Sequence, residues 1–518
     1  MKHERKPFIL ILLAVLFFAS LPLSFYGAGA AGDENEKTLP AIPDEEKIIK
    51  VMHTISSHTL YNYVLELCSE KYAGRLTGTS TYNDSAQWTA SLLEKWGIKP
   101  AGDNGTFFQE FPNPYTLVFE GSGVSLFIPV SNGAFIEKPY RYETDYLPGA
   151  TSGTGEVKAQ VIYVGYGITA PELDFDEYKG MDVKGKIVLI EREVPVSPSE
   201  EPEVFKKWRS YSFHQYKIQN AYDHGAAGVI FNYPITNPNG LYIKGFQLIN
   251  AGKTIIDDIF AGTGKSHKDT VKQINKSRKP VSFNTKKIVS LRNKTEHHPE
   301  GIGRNVIGFI EGSDPVLKNE IVIIGAHLDH LGLNHLAMPG ANDNASGVAA
   351  ILGVAEAIQE LRKLSVTPQR TIVFIFFGAE EQGVKGSEYY LQHPLVPHKS
   401  IKGFINFDGV GRGDEIDALA AKNYPQLWEY FDTVNQKYLR LKINPGEFHN
   451  RARPRLDAAH FMWAGIPSIS FNSSGGTPLP YDPYHKTLDN PSIITPEIME
   501  DLAQLVFLAI IKMTTSNL

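Results

Sequence analysis

Residues 321–347 read IVIIGAHLDHLGLNHLAMPGANDNASG, and this stretch decides the fold. Residues 321–325 form an apolar, β-branched run, which predicts a buried strand. His327, Asp329 and His330 follow at once, then a Gly/Pro/Asn-rich loop that carries Asp343. Beyond Gly347, VAAILGVAEAIQEL has helical periodicity. Strand, polar loop and helix in this order put imidazole and carboxylate at the C-terminal end of a strand, where open α/β sheets bind ligands. Histidine and carboxylate together suit a zinc ion.

The rest of the chain sets bounds on this stretch. Its 518 residues favour more than one domain, and 42% hydrophobic with 21% charged residues is an ordinary globular composition. A formal net charge of -6 leaves no basic footprint, so nucleic acid is not an expected partner. Cys68 is the only cysteine, which excludes an intrachain disulfide and a cysteine-built zinc site. It is expected to pack in the core.

The N-terminus has the three parts of a secretory signal: Lys2, Arg5 and Lys6, an apolar run over 8–25, and the small residues Ala28, Gly29 and Ala30. Residues 1–30 are therefore expected to be a signal peptide cleaved before Ala31, with an uncleaved anchor as the alternative. No later run reaches the ~20 apolar residues of a membrane span. The expected protein is secreted or periplasmic, without stable membrane association after cleavage.

Working outward, residues 45–96 predict two helices, the second over 81–96 with Ala86, Ala90, Leu93 and Trp96 on one side. YAGRLTG (72–78) is a glycine-punctuated turn between them, and KPAGDNGT (99–106) is a turn leading to a strand at 107–111. Residues 139–281 have a different texture. Strands at 157–166, 186–190 and 227–231 and a helix at 216–224 predict a small β-rich domain without a compact set of His and acidic residues. Its GTGKS (262–266) resembles the end of a phosphate-binding loop, but Ile259 stands where that loop requires glycine, so nucleotide binding is rejected. From Asn305 onward, strands at 305–310, 370–377, 401–407 and 468–471 alternate with helices at 386–392, near 424–438 and at 495–513. This predicts an α/β fold, a mostly parallel mixed sheet covered by helices on both faces.

The strand ends of this half repeatedly carry ligand-type residues. Glu380 and Glu381 follow one strand, Asp408 another, and a polar loop after Phe471 holds Tyr484, His485 and Asp489. Each is ordinary alone; their placement after successive strands makes a site. Two zinc ions ~3.5–4 Å apart need a bridging carboxylate with His and carboxylate ligands on each side, and they lower the pKa of a shared water towards ~7. A further carboxylate must take and return the proton without binding metal. Adjacent Glu380 and Glu381 can divide those roles. Asp329, two residues past His327, can hold the other nitrogen of that imidazole.

AHLDHLG (326–332), GANDNASG (340–347), GAEEQGVKGS (378–387), INFDGVGR (405–412), AGIP (464–467) and YHKTLD (484–489) together resemble the two-zinc exopeptidase family of bacterial secreted aminopeptidases, which also contains glutamate carboxypeptidases. YAGRLTG and KPAGDNGT resemble its N-terminal helical part. GYG (165–167) and MDVKGKIVL (181–189) resemble its inserted protease-associated domain. The resemblance implies a catalytic domain built from 31–138 and 282–518, with 139–281 as the insert. It implies two Zn²⁺ ions per chain, one held by His327 and Asp408, the other by Glu381 and His485, with Asp343 bridging them. Glu380 becomes the general base, Asp329 the support of His327, and Tyr484 a stabiliser of the oxyanion. The implied substrates are peptides or proteins with a free N-terminus.

Some residues depart from the family pattern. Leu456-Asp457-Ala458 keeps only the aspartate of a Ser-Asp-His triplet, and the loop at 472–483 is longer than in many members. His330 and His335 match no ligand position and are expected to be bystanders, while Asp414, Glu415 and Asp417 are expected to be solvated. Two alternatives stay open: a carboxypeptidase or dipeptidase using Arg451, Arg453 and Arg455, and a non-catalytic binding protein using the insert.

Overall fold

The computed structural model describes residues 44–448, 455–473 and 483–515. The expected signal peptide, Arg451, Arg453 and most of the 472–483 loop lie outside these residues. No helix among the described residues is long and apolar enough to cross a membrane.

A nine-stranded sheet organises the larger lobe. Its centre is parallel: Thr371–Phe377, Ile321–His327, Ile401–Phe407 and Ser468–Asn472 lie side by side in that order. Ile302–Ile310 joins antiparallel at one flank, and Ile416–Leu419 joins antiparallel at the other. The sheet is therefore mixed and parallel at its core. Helices cover both faces, which is why its central strands are apolar without interruption. Val322, Ile324, Phe374, Phe376, Ile405 and Phe407 point into one core with the helices Ser346–Lys363 and Pro496–Thr514. Ile321, Ile323, Val373, Ile375, Phe377 and Phe404 point the other way, towards Tyr390 and Phe461. Alternate residues thus serve opposite layers, as the pleat demands.

The N-terminal segment forms three helices, Asp44–Met52, Ser57–Leu67 and Ser80–Lys95, where periodicity predicted two. The extra break falls at residues 53–56. There the Ser56 hydroxyl accepts from Thr59 N at 3.3 Å and caps a new helix. Cys68 is largely buried; its thiol lies 3.5 Å from Pro339 O, and burial pushes it up to about 12.

The second lobe has an eight-stranded sheet whose strands run from Gly123–Pro129 to Phe283–Asn293, past both ends of the 139–281 segment. Gly155–Tyr163, Ile187–Glu191, Gly228–Asn232 and Gln247–Ala251 are parallel, with helices such as His214–Asp223 and Lys253–Phe260 between or after them. This lobe is β-rich but has α/β layering of its own. Its helices were harder to foresee because they are short. A small four-stranded sheet joins Tyr115–Val118 to Leu333–Asn334, just beyond His327, and so ties the lobes together near the strand ends.

The YAGRLTG turn is a buried brace. Arg75 is fully buried and donates from Nε to Leu328 O (2.9 Å), from Nη1 to Leu67 O (2.6 Å) and Pro339 O (2.8 Å), and from Nη2 to Gly340 O (3.0 Å). It locks both ends of the loop between His327 and Asp343. Removing the guanidinium leaves buried carbonyls unpaired. Arg75→Met is expected to lower the stability of the metal-free protein by at least ~2 kcal/mol in urea unfolding; an unchanged midpoint would show that the brace carries no stability.

Candidate active site

The C-terminal ends of the parallel strands converge on a cluster of carboxylates and imidazoles. Ile321–His327 ends in His327 itself; Glu380 and Glu381 follow Thr371–Phe377, and Asp408 follows Ile401–Phe407. Asp343 sits in the turn before the helix Ser346–Lys363, where the Asp343–Asn344 peptide is cis. Gly347 opens this helix against its neighbours. A Cβ there would lie 2.4 Å from Asn344 Oδ1 and 2.9 Å from Phe407 O, so the last glycine of GANDNASG has no room for a side chain.

Asp343 lies at the centre. Its Oδ1 is 3.2 Å from His327 Nε2, and its Oδ2 is 3.2 Å from His485 Nε2. His327 Nε2 is also 3.6 Å from Asp408 Oδ1, and His485 Nε2 is 3.0 Å from Glu381 Oε2. One carboxylate therefore faces two His–carboxylate pairs with one oxygen each. His485 Nε2 and Glu381 Oε1 are buried and make no well-aligned hydrogen bond; they are in charge contact with Glu381 Oε2 (3.0 Å) and His330 Nδ1 (2.8 Å) respectively. Donor atoms this close, on buried groups without well-aligned hydrogen bonds, match the requirement of a divalent cation. The geometric sets are His327, Asp343 and Asp408, and His330, Asp343 and Glu381.

The charge balance follows from burial. Burial would raise Asp343, but His327 and His485 hold it well below the carboxylate range. Burial opposes the charged form of His327, yet Asp343 and Asp408 outweigh it and keep the imidazole well above its ordinary value. His485 is likewise raised, burial being overcome by Glu381 and Asp343. Burial raises Glu380 well above its ordinary value; His327 opposes this and Glu381 adds to it. Glu380 keeps partial exposure. The Tyr484 ring stacks on His485 at 3.8 Å, and burial raises its hydroxyl well above the phenolic range.

Asp329 acts differently from expectation. Its carboxylate is 3.8 Å from His327 Nδ1, while its backbone carbonyl is nearer, at 3.2 Å. The carboxylate oxygens instead accept from Glu380 N (3.1 Å) and Glu381 N (3.3 Å). Asp329 therefore supports His327 through its main chain and holds the Glu380–Glu381 turn with its side chain. Burial pushes its carboxyl up to about 8.

Two residues gain roles that sequence reasoning missed, His330 and Asp489, and a further acid, Asp457, lies buried near the cluster. His330 is fully buried, with Nδ1 at 2.8 Å from Glu381 Oε1, so it is part of the cluster. Its position three residues after His327 at a strand end was the available signal. Asp489 accepts from Asn342 N at 2.8 Å and Asp343 N at 3.1 Å and thereby sets the height of Asp343. Asp457 is buried with both carboxylate oxygens lacking hydrogen bonds, and burial raises it to about 7. His335 instead packs against Tyr142, ring centroids 4.6 Å apart. Glu415 pairs with Lys442, away from the cluster.

A mixed sheet with imidazoles and carboxylates gathered at its parallel strand ends is the architecture of a metal-dependent hydrolase. Residues 305–510 match the model for peptidase family M28, and residues 154–248 match the PA domain. The chain thus contains a C-terminal segment similar to peptidase family M28, preceded in sequence by a segment similar to the PA domain. It is 28% identical over 358 residues to an aminopeptidase of Pseudomonas aeruginosa, the match covering 67% of this chain and 55% of that protein. It is 27% identical over 341 residues to aminopeptidase YwaD of Bacillus subtilis, covering 62% of each. The chain thus spans about half the length of the first of these relatives. The fold is shared with an aminopeptidase from Aneurinibacillus sp. strain AM-1 (TM-score 0.60, 20% identity, 89% of this chain and 95% of that one). It is also shared with BSAP, a zinc aminopeptidase from Bacillus subtilis (TM-score 0.59, 21% identity, 89% and 96%).

Asp489 offers a direct check on how the centre is built. Asp489→Ala removes the acceptor for two amides beside Asp343, and zinc affinity is expected to fall ~10–100-fold, the usual scale for losing an outer support of a ligand. Competition with a chromophoric chelator measures it; wild-type affinity would mean that Asp343 is held without Asp489.

Proposed function

We propose that the chain is an exported metallo-aminopeptidase that removes N-terminal residues from peptides, with two zinc ions held by His327 and Asp408 and by Glu381 and His485, and with Asp343 between them. The observation that carries this is Asp343, whose two oxygens each lie 3.2 Å from a different histidine. Relatives named as aminopeptidases support the activity, and a zinc aminopeptidase of the same fold supports the metal. The N-terminal charged, apolar and small-residue regions support export.

Bound zinc would polarise the scissile carbonyl and lower the pKa of a shared water. The chain's residues do the rest. Glu380, partly exposed and with its proton affinity raised by burial, takes a proton from the attacking water and returns it to the leaving amine. Asp329 fixes the backbone of Glu380 and Glu381 so that the two carboxylates keep separate tasks. Tyr484, whose ring stacks on His485, would donate to charge developing on the carbonyl oxygen. The acidic surroundings favour a substrate with a free, cationic α-amine.

A carboxypeptidase would need free cationic groups for the substrate carboxylate. Arg455 is engaged with Glu193 at 2.6 Å, which weakens that reading, and the other two arginines lie outside the described residues. A binding protein would not need Glu380 beside a complete set of ligand-type residues.

Aminoacyl-arylamides and N-blocked peptides, assayed with and without chelator, test the assignment. Chelator-sensitive cleavage of the free-amine substrates alone is expected, whereas shortening of blocked peptides from the C-terminal end would overturn the aminopeptidase reading. Glu380→Gln is expected to retain zinc and to lose at least ~10²-fold in kcat, the scale of general-base loss. Full activity in that variant would remove Glu380 from the chemistry.

A further inference from the structure

The loop that carries His485 is gripped by the second lobe at two points. His485 Nδ1 donates to Thr236 O at 2.7 Å, and Thr236 N donates back to His485 O at 3.3 Å. Two residues on, Thr487 N and Oγ1 donate to the two oxygens of Glu143, at 2.5 and 2.7 Å. Thr236 lies within the matched PA domain, and Glu143 lies in the turn leading to Tyr146–Pro148, the edge strand of the second lobe's sheet. Both supports are themselves fixed. Thr236 is fully buried, and its neighbour Ile235 accepts through its carbonyl from Asn250 Nδ2 at 2.7 Å, at the end of Gln247–Ala251. Glu143 N donates to Tyr146 O at 2.7 Å, which closes its turn.

The same lobe reaches the other ligand loops. Asn334, beyond His327, donates to Pro148 O at 3.2 Å and to Thr236 Oγ1 at 3.3 Å. Asn239 stands against Gly383, where a Cβ would come within 3.0 Å of its Oδ1.

A histidine that donates through Nδ1 keeps its proton there and presents a lone pair on Nε2. At His485, Nε2 faces Glu381 Oε2 at 3.0 Å and Asp343 Oδ2 at 3.2 Å, so a cation that displaces its proton would meet the lone pair and both carboxylates together. We propose that the inserted lobe is a working part of the metal centre: the Thr236 carbonyl sets the tautomer and aim of His485, and Glu143 holds the His485 loop in place through Thr487, so that the second cation site exists only while the lobes are docked. Glu143 and Thr236 are positioning residues. The inference rests on His485 being a metal ligand.

Zinc titration of the metal-free, full-length protein tests it. Glu143→Ala removes both acceptors for Thr487. It is expected to weaken the binding of one zinc by ~10–100-fold and to leave the other at wild-type affinity. Glu143→Gln restores binding, because its amide can accept from Thr487 N and donate to Thr487 Oγ1. Thr487→Val removes only the hydroxyl contact and should give a smaller loss of the same ion, which keeps the test available if Glu143→Ala does not fold. His485→Ala is the control and should lose that ion altogether. Wild-type zinc binding in both Glu143→Ala and Thr487→Val, with the ion lost in His485→Ala, overturns the role of the lobe. Wild-type binding in His485→Ala overturns the ligand reading, and the inference with it.

Discussion

The structure is built around an electrostatic problem. Asp329, Asp343, Glu381, Asp457 and Asp489 are buried within one region, with Glu380 and Asp408 only partly exposed beside them. Burying an unpaired carboxylate is costly, and it becomes tolerable only with partners of opposite charge or with hydrogen bonds to the charged form. Among the described residues, His327, His330 and His485 are basic side chains drawn into this cluster. They oppose several acids that burial still raises, Glu380 and Asp408 among them. The proposed divalent cations beside Asp343 would resolve the imbalance, since they would supply the local charge that imidazole lacks.

Much of the surrounding architecture serves to hold those acids in place against their repulsion. The parallel strands deliver His327, Glu381 and Asp408 to one edge. Arg75 ties the long loop that brings Asp343 back to that edge, and Asp489 accepts the amides around Asp343. Asp329 does the same for the Glu380–Glu381 turn. These supports come from the N-terminal turn, the strand ends and the C-terminal loop. The cluster therefore fixes the packing of segments far apart in the chain, and the helices behind the sheet supply the rigid backing.

What could be read in the residues follows a physical division. Strands such as IVIIGAH and TIVFIFF are legible because both faces are covered, which leaves an unbroken apolar run. Ligand-type residues are legible because each sits directly after such a run. Contacts between distant segments are not. The bond from His485 to Thr236 spans 249 residues and uses a backbone carbonyl, to which side-chain identity gives no clue. His330 occupies no ligand position in the sequence pattern, yet the chain after His327 brings it to Glu381. Asp329 was expected to act on His327 by its carboxylate, but the same stretch gives that task to its main chain. The second lobe reaches to Gly123 and Asn293 through strands whose burial is interrupted, so they lack the unbroken apolar run of the other lobe, and its helices are short, which leaves its α/β layering hidden.

Bound zinc per chain in Asp343→Ala and His327→Ala, measured by elemental analysis after gel filtration, tests the shared carboxylate directly. Asp343 faces both histidines, so its loss should leave about no zinc, while His327→Ala should retain about one ion of the expected pair. An Asp343→Ala protein that holds as much zinc as His327→Ala would contradict a bridge at Asp343.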